Sequence, residues 1–397
     1  MNFFDFLNTS VTPYHTVNNL KSALGSHDIQ LFEREGALIA VKAPQTPCER
    51  SNFRLALAHT DFPALKLTPS PDTQAHGIKK LHPEVYGSPL FTSWLDRDLG
   101  YAGAIAVKKD NQIQKKLIRG TKLFKIPQLA IHLNRSVNQD GLKLNPQIDL
   151  DTLWDTSDAA DLHFAQSLCE FVENDEELLD FDIQLFDAQP AAVGGFKDQW
   201  IYSSRLDNLS SCHAIAQAMT DSTPLKDDFM VAGFFNNEEV GSTTREGASG
   251  SFLQSVLKSI CERHNIPAFD FSDSFALSID MAHAIHPNHA EKHDTNHAPV
   301  LGGGIVLKTN AQKRYASDLM SSAKLRDLCH TANIALQSFV CRNDIPCGST
   351  VGPAISAGLG IPTVDIGEPM LSMHSIREMT AAKDHEDMIK LIKELWN

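Results

Sequence analysis

The sequence predicts an α/β fold in which a mixed sheet is flanked by helices and a β-rich module is inserted into the chain. Two observations carry this prediction. Apolar, strand-like segments that stop abruptly at polar motifs alternate with amphipathic helical patterns in the first and last parts of the chain. Between them lies a long stretch of alternating, turn-rich sequence with little helical character. We therefore expect one large α/β unit interrupted by a β-rich one.

The strand-like segments of the α/β unit are apolar along their whole length. They are residues 53–63 (FRLALAHTDFP), 227–239 (DDFMVAGFFNNEE), 274–284 (SFALSIDMAHA) and 361–369 (IPTVDIGEP). Helical patterns occur at residues 208–221, 250–264 and 321–335. Continuously apolar strands separated by such helices are typical of a sheet that helices cover on both faces.

The middle of the chain differs in pattern. The stretch YAGAIAVKKDNQIQKKLIRG at residues 101–120 predicts a hairpin that turns within KKDNQ. A single helical segment is expected at residues 161–175. The predicted organisation is residues 1–63 for the first part of the α/β domain, 64–197 for the inserted β-rich domain and 198–397 for the second part.

Composition and charge exclude several classes of protein. The 397 residues are 42% hydrophobic and 21% charged, with a net charge of −14 and no basic run, which argues against a nucleic-acid partner. No apolar stretch reaches the length of a membrane span, and the start of the chain has no secretory pattern. Seven cysteines without regular CxxC pairs read as scattered reduced thiols. We expect a cytoplasmic protein without a membrane partner.

The strand-like segments and two further motifs carry candidate metal ligands. The candidates are His59, Asp207, Glu239, Asp280 and His374. Two imidazoles and three carboxylates suit zinc or another borderline divalent cation, and five ligands suit a two-metal hydrolytic site in which one carboxylate bridges.

Spacing alone leaves other roles open for each candidate. The histidines could be hydrogen-bonded core residues, Asp207 a helix N-cap, Asp280 a turn residue, and Glu238–Glu239 a solvated loop. Their joint position at the ends of apolar runs, where an unpaired charge is costly, favours a metal site.

Eight ordered motifs resemble those of the aspartyl aminopeptidase family of co-catalytic metallo-exopeptidases. They are HTDFP, WLDRDLGYAG, IPQLAIHLNR, SSRLDNLSSCHA, NNEEVGSTT, DMAHAIHPN, RNDIPCGSTVGP and MHSIREM, and they run from residue 59 to 379. The resemblance implies a zinc exopeptidase-like catalytic domain, an inserted dimerisation domain and homo-oligomers that are dimers at least, with tetrahedral dodecamers as the family's assembly.

The resemblance also implies roles for the candidate ligands. His59 and Asp280 would hold one metal, Glu239 and His374 the other, and Asp207 would bridge the two. Zinc is the expected metal, with cobalt or manganese as alternatives.

The same resemblance assigns Glu238 as the general base and Asp61 as the residue that orients His59. On an extended backbone, adjacent side chains point to opposite sides, so Glu239 can bind metal while Glu238 faces the attacking water. The Asp61 carboxylate is expected to accept the free N–H of His59; the alternative is a simple turn acid before Pro63.

Substrate contacts are expected from four further residues. His132 matches a family histidine that reaches the neighbouring subunit's active site, so a dimer-breaking variant should lose activity but keep its metal. His283 and His286 could line the pocket or only support a ligand. Lys308 matches a family lysine that would select an acidic first residue of a peptide, unless it is an exposed strand lysine.

Three functional readings remain open at this point. The first is an aminopeptidase that prefers Asp or Glu, with a broad or leucine-preferring variant of the same activity. The second is a related two-metal amidase or deacylase, which would not need a free α-amino group. The third is a metal-binding scaffold without catalysis, against which stands the presence of Glu238 together with every predicted ligand.

Overall fold

The computed structural model describes residues 1–25, 28–156, 162–267 and 271–397. Within them the helices are α1 (Phe3–Thr9), α2 (Pro13–Leu24), α3 (Val137–Asp140), α4 (Phe164–Ser167), α5 (Leu206–Asp221), α6 (Phe252–His264), α7 (Leu319–Thr331), α8 (Val351–Leu359) and α9 (Ala382–Leu395). The strands are β1 (Gln30–Arg34), β2 (Ala37–Lys42), β3 (Phe53–His59), β4 (Ala64–Ala75), β5 (Ile78–Tyr86), β6 (Leu99–Lys109), β7 (Gln112–Arg119), β8 (Thr152–Thr156), β9 (Glu177–Asp187), β10 (Ala192–Gly194), β11 (Trp200–Ser203), β12 (Phe229–Phe235), β13 (Phe275–Ile279), β14 (Ala282–His283), β15 (Ile305–Thr309), β16 (Leu336–Val340), β17 (Thr363–Gly367), β18 (Pro369–Leu371) and β19 (Glu378–Ala381).

The chain divides into two compact units. The first contains Met1–Phe62, Ala191–Met373 and Glu378–Asn397, and the second contains Pro63–Pro190 and His374–Arg377. The first unit is built on an eight-stranded sheet in the order β1-β2-β12-β3-β13-β17-β15-β16. Its central strands β12, β3, β13 and β17 are parallel, and both flanks include antiparallel pairs. The predicted mixed α/β sheet is thus confirmed.

Side chains along the central strands alternate between two apolar layers. In β3, Ala56 and Ala58 pack in the layer that contains α5 and α9. Their neighbours Leu55 and Leu57 pack in the opposite layer, with α6 and α8. Since successive residues of a strand point to opposite faces, a strand covered on both sides must be apolar at every position. This requirement explains the continuous apolar runs of the sequence.

A smaller sheet completes the first unit, in the order β10-β11-β19-β18-β14. Its strand β19 begins at Glu378 and pairs with β11, which leads directly into α5. This sheet therefore holds the start of α5 in place.

The second unit contains a six-stranded sheet in the order β7-β6-β9-β4-β5-β8. The predicted hairpin is present as β6 and β7, and its two turn residues, Asp110 and Asn111, have φ angles of 49° and 61°. Positive φ at both positions is the geometry of the tight turns that match strand twist.

The helix expected at residues 161–175 is mostly wrong. Residue 161 lies outside the described residues, and the rest forms only the short helix α4 followed by a 3₁₀ turn at Leu168–Phe171. Phe164 and Leu168 pack into the apolar core of the second unit, Phe164 from α4 and Leu168 from the 3₁₀ turn. The apolar spacing that predicted one helix therefore belongs to two short helical turns. No helix in the described part of the chain is long and apolar enough to cross a membrane.

Lys42, the last residue of β2, is buried and caps the C-terminal end of α5 with its ammonium group. Its Nζ donates to the carbonyl oxygens of Met219 and Ser222, each at 2.7 Å. Only 5% of the residue is exposed, and burial lowers the pKa of Lys42. A cation at a helix C-terminus satisfies carbonyls that have no partner within the helix.

Replacing Lys42 by Met should therefore lower the free energy of unfolding by about 1–3 kcal/mol, because two buried carbonyls lose their donor. Urea titration followed by circular dichroism measures the change. The control is Lys21→Met, which removes an exposed lysine paired with Glu33 and should change stability by less than about 1 kcal/mol. Equal effects of the two substitutions would contradict the capping role.

Candidate metal centre

The candidate ligands of the first unit meet at the carboxyl ends of its parallel strands. His59 is the last residue of β3, Asp280 directly follows β13, and Glu238 and Glu239 follow β12. Asp207 enters from the first turn of α5, where its φ and ψ angles of −81° and 104° depart from helical values. Ligands at the carboxyl end of a parallel sheet are the usual arrangement in open α/β folds.

His59, Asp207 and Asp280 form the buried centre of the site. The Nε2 atom of His59 lies 3.4 Å from Asp207 Oδ1 and 3.5 Å from Asp280 Oδ1. All three residues are buried, and their ligand atoms lie within 4.8 Å of one another. Tetrahedral N and O ligands at zinc distances are separated by roughly 3.3–3.5 Å. The observed separations therefore fit a shared metal ion.

A second group combines His59 with Glu238 and Glu239, again with ligand atoms within 4.8 Å of one another. The two glutamates are half-buried and lie in a 3₁₀ turn, Glu238–Val240. The expected extended backbone at this pair is therefore wrong. Asn237, in the left-handed region at φ 62°, ends the extension of β12 and starts the turn. Successive side chains of a 3₁₀ turn still diverge, since each turn contains three residues.

His59 is oriented through its other ring nitrogen. Nδ1 lies 3.0 Å from the backbone carbonyl oxygen of Asp61, whereas the nearest carboxylate oxygen of Asp61 is 3.4 Å away. The Asp61 carboxylate is thus near Nδ1, as expected, but the backbone carbonyl of the same residue is the closer acceptor. With Nδ1–H donating, the lone pair of Nε2 faces Asp207 and Asp280, which is the tautomer that binds metal.

The carboxylate of Asp61 holds the turn that contains the glutamate pair. Its Oδ1 accepts the backbone N–H of Glu238 and its Oδ2 accepts that of Glu239, both at 3.1 Å. Asp61 is completely buried. One side chain therefore fixes the candidate base and its neighbour relative to β3.

Two residues that sequence reasoning missed support Asp207. The carboxylate of Glu378, at the start of β19, accepts the backbone N–H of Asp207 at 3.1 Å. Asn208 donates from Nδ2 to the carbonyl oxygen of Ile279, the residue just before Asp280, at 2.8 Å. Glu378 lies in the quoted motif MHSIREM and Asn208 in SSRLDNLSSCHA, but only the folded structure brings either to its partner.

The carboxylates at this site crowd negative charge that a positive charge would stabilise. Burial lowers the pKa of His59, but the carboxylates of Asp207, Asp280 and Asp61 raise it more, so that the pKa ends well above its usual value. The pKa of Glu238 is raised to about 8, chiefly by burial, while His59 opposes the rise and the nearby aspartates add to it. A divalent cation would supply the charge that otherwise comes from protons on these groups. The donor set thus fits a metal by charge as well as by distance.

Lys308, on β15, contacts a candidate ligand and is not an exposed strand lysine. It is 2% exposed, with Nζ 3.6 Å from Asp280 Oδ2 and 3.1 Å from the carbonyl oxygen of Met281. Because Asp280 Oδ1 faces His59, the ammonium occupies the other oxygen of the same carboxylate. Lys308 thereby fixes the orientation of Asp280.

Replacing Lys308 by Met should weaken zinc binding about 10–100-fold, the usual cost of removing a partner that orients a ligand. Competition with a chromophoric chelator measures the affinity directly. Lys292→Met, which changes an exposed lysine, is the control. An unchanged zinc affinity in Lys308→Met would contradict the orienting role.

The other predicted site residues have contacts of their own. His283 is exposed, with its ring 5.9 Å from that of Phe339. His286 accepts the backbone N–H of Asn288 through Nδ1, and its ring lies 4.9 Å from that of His289. In the second unit, His132 is exposed in a turn, and Nδ1 of His374 lies 3.1 Å from the carbonyl oxygen of Ser88.

Comparison with known proteins places this architecture among the aminopeptidases. The family described as "Aminopeptidase I zinc metalloprotease (M18)" matches residues 6–396. A relative from Ectopseudomonas mendocina (strain ymp), named "Probable M18 family aminopeptidase 2", is 37% identical over 417 residues, covering 99% of this chain and 96% of the relative.

Solved structures agree with the sequence comparison. The chain in "Cryo-EM structure of the Ape4 and Nbr1 complex" superposes with a TM-score of 0.91 at 32% identity, covering 99% of this chain and 84% of that one. The chain in "Structure of S. cerevesiae mApe1 dodecamer" gives a TM-score of 0.83 at 27% identity, covering 99% and 94%. The structural matches therefore agree with the family match found from the sequence.

Proposed function

We propose that this chain, which belongs to the aminopeptidase I zinc metalloprotease (M18) family and is a metallo-aminopeptidase, removes acidic N-terminal residues from peptides. The proposed reaction uses two divalent metals, with Glu238 as the general base. The observation that carries the proposal is the convergence of the His59 Nε2 on two buried carboxylates, 3.4 and 3.5 Å away, with Glu238 beside them.

The proposed ligands follow the family resemblance. His59 and Asp280 would hold one metal, Asp207 would bridge, and Glu239 and His374 would hold the other. The family's zinc chemistry makes zinc the proposed ion at both positions. For His374, the contact of Nδ1 with Ser88 makes Nε2 the proposed ligand atom.

When bound, the metal pair polarises the scissile carbonyl and lowers the pKa of the attacking water. Glu238 accepts the proton of that water and then donates it to the leaving amine. Asp61 keeps the Glu238 carboxylate in position through the two backbone N–H groups that it accepts. His59 keeps its metal-binding tautomer through the Asp61 carbonyl.

Preference for Asp or Glu rests on Lys308. A substrate carboxylate would share its ammonium with Asp280, because Nζ already lies 3.6 Å from that ligand. A broad or leucine-preferring activity is the alternative, in which Lys308 only orients Asp280. His283 is proposed to line the pocket because it is exposed near the end of β14, and His286 follows it.

The second unit is proposed to form a homodimer and to deliver His132 to the neighbouring active site. The segment 129–133, which contains His132, also exposes Leu129, Ile131 and Leu133 at 62%, 45% and 74%. Exposed apolar residues clustered in one segment are a feature of protein interfaces. The solved relative that is a dodecamer supports assembly beyond the dimer.

The proposed function is tested with aspartyl, glutamyl, leucyl and lysyl nitroanilides, assayed before and after treatment with a chelator and after zinc is added back. We expect chelation to abolish turnover, zinc to restore it, and the acidic substrates to be cleaved fastest. N-acetyl-aspartyl nitroanilide is the control and should resist cleavage. Preference for leucine would reject the acidic pocket, and cleavage of the acetylated control would favour a deacylase.

A further inference from the structure

Two free cysteines flank an exposed segment beside the candidate metal centre. Cys341 directly follows β16, and Cys347 precedes α8 in the same connection. Both are half-buried, whereas residues 343–346 between them are exposed. The two side chains pack against one small apolar cluster, which consists of Ala282, Val306, Tyr315 and Phe339. The pair is thus held close together and open to solvent on one side.

Contacts of the Cys341 sulfur atom place it beside the segment that leads into Cys347. The Sγ atom of Cys341 lies 3.5 Å from the carbonyl oxygen of Ile345 and 3.9 Å from that of Pro346, the residue before Cys347. Burial, followed by the nearby thiol of Cys347, also raises the pKa of Cys341. Arg314 holds the far end of the segment, since its Nε donates to the carbonyl oxygen of Gly348 at 3.4 Å.

We propose that Cys341 and Cys347 are a modification site that forms a reversible disulfide with a small-molecule disulfide such as oxidised glutathione, and that this bond slows the aminopeptidase reaction. One thiolate attacks the oxidant, forming a mixed disulfide and releasing one reduced thiol. The second cysteine then attacks the mixed disulfide and releases the other thiol. The two cysteine protons leave with the released thiols, and the oxidant is reduced by two electrons.

Cys347 is the thiol that meets the oxidant first. It borders the exposed Pro346 and Gly348, whereas burial, followed by the neighbouring thiol of Cys347, raises the pKa of Cys341 to about 11. Because only the thiolate attacks, closure by Cys341 should speed up as the pH rises toward that value. Cys341 is therefore the resolving cysteine.

A chain of contacts connects the disulfide to the metal centre. Cys347 packs against the apolar cluster that contains Tyr315, and burial, followed by the Cys347 thiol, raises the pKa of the Tyr315 hydroxyl. The ring of Tyr315 lies 5.4 Å from Nζ of Lys308, which in turn contacts Asp280. Disulfide formation pulls Cys347 toward Cys341 and so changes its packing against Tyr315. We expect Lys308, and with it Asp280, to lose part of its support.

The test uses the full-length, zinc-loaded enzyme, equilibrated in glutathione buffers from fully reduced to fully oxidised. After alkylation and digestion, mass spectrometry should find the peptide that links Cys341 to Cys347, lighter by two hydrogen atoms than its reduced form. Aliquots of the same samples should lose activity several-fold, and dithiothreitol should restore it.

Cys341→Ser and Cys48→Ser provide the controls. Cys341→Ser should take one glutathione on Cys347 without forming the link, and Cys48→Ser, which changes an exposed cysteine elsewhere, should behave as the wild type. Absence of the link in oxidised buffer would overturn the site, and a link without loss of activity would overturn its effect on catalysis. The second part rests on the proposed function, but the mass measurement is independent of any activity.

Discussion

Replacing Glu238 by Gln is expected to lower kcat about 10²–10⁴-fold while zinc remains bound. The substitution preserves the size of the side chain and removes its ability to accept a proton. Glu238 is suited to that task, because burial raises its pKa to about 8, so its carboxylate holds a proton more readily than an ordinary glutamate. Steady-state kinetics together with metal analysis of the same preparation measure both quantities.

Glu239→Gln is the matched control for Glu238→Gln. The two glutamates are neighbours in one 3₁₀ turn and are both half-buried. If Glu239 is a ligand and Glu238 the base, Glu239→Gln should lose zinc and Glu238→Gln should keep it. Equal zinc loss in both variants, or a normal rate in Glu238→Gln, would contradict the assignment of the base.

The dependence of kcat/KM on pH provides an independent test of Glu238 as the general base. A base must be deprotonated, so kcat/KM should rise with pH through the pKa of Glu238 in the free enzyme. Bound cations favour the carboxylate and lower its pKa. In the zinc enzyme the increase in kcat/KM should therefore occur at a pH below 8. Glu238→Gln should lose this acidic limb.

Replacing Asp61 by Asn is expected to lower kcat/KM about 100-fold, because small displacements of catalytic groups cost that much. The Asp61 carboxylate accepts the backbone N–H groups of both Glu238 and Glu239. Asn retains one acceptor oxygen, and its NH₂ group would face the other backbone N–H. The turn must then move or leave a buried donor without a partner, and either change displaces the base.

Kinetics and zinc affinity together test this role of Asp61. Asp227→Asn, an exposed aspartate just before β12, should leave both quantities unchanged. Zinc affinity in Asp61→Asn should fall as well, since Glu239 lies in the same turn. Wild-type kinetics in Asp61→Asn would show that the carboxylate does not position the turn.

The sequence predicts the frame of this site better than its internal contacts. Continuous apolar runs revealed the central strands, and the polar residues at their ends led to His59, Asp280 and the glutamate pair. These signals are local, so they survive without knowledge of the fold. The hairpin at Asp110 and Asn111 was predictable for the same reason.

Predictions that depended on tertiary contacts fared less well. Nothing local shows that the Asp61 carboxylate accepts the backbone N–H groups of Glu238 and Glu239, or that the Asp61 carbonyl is the closer acceptor for His59. Burial of Lys308 against Asp280 likewise arises only when β15 enters the sheet beside β17. The helix expected at residues 161–175 failed because the core of the second unit sets the conformation of Phe164 and Leu168.

The parallel register of the central strands has a consequence for how this chain can change in length. His59 lies opposite Phe235 in the β3–β12 pair, and Leu57 lies opposite Ser278 in the β3–β13 pair. Deleting one residue between positions 53 and 58 would turn His59 to the opposite face of the sheet. Insertions and deletions should therefore be tolerated in the connections between strands, whereas a single one within β3 would remove a candidate ligand from the site.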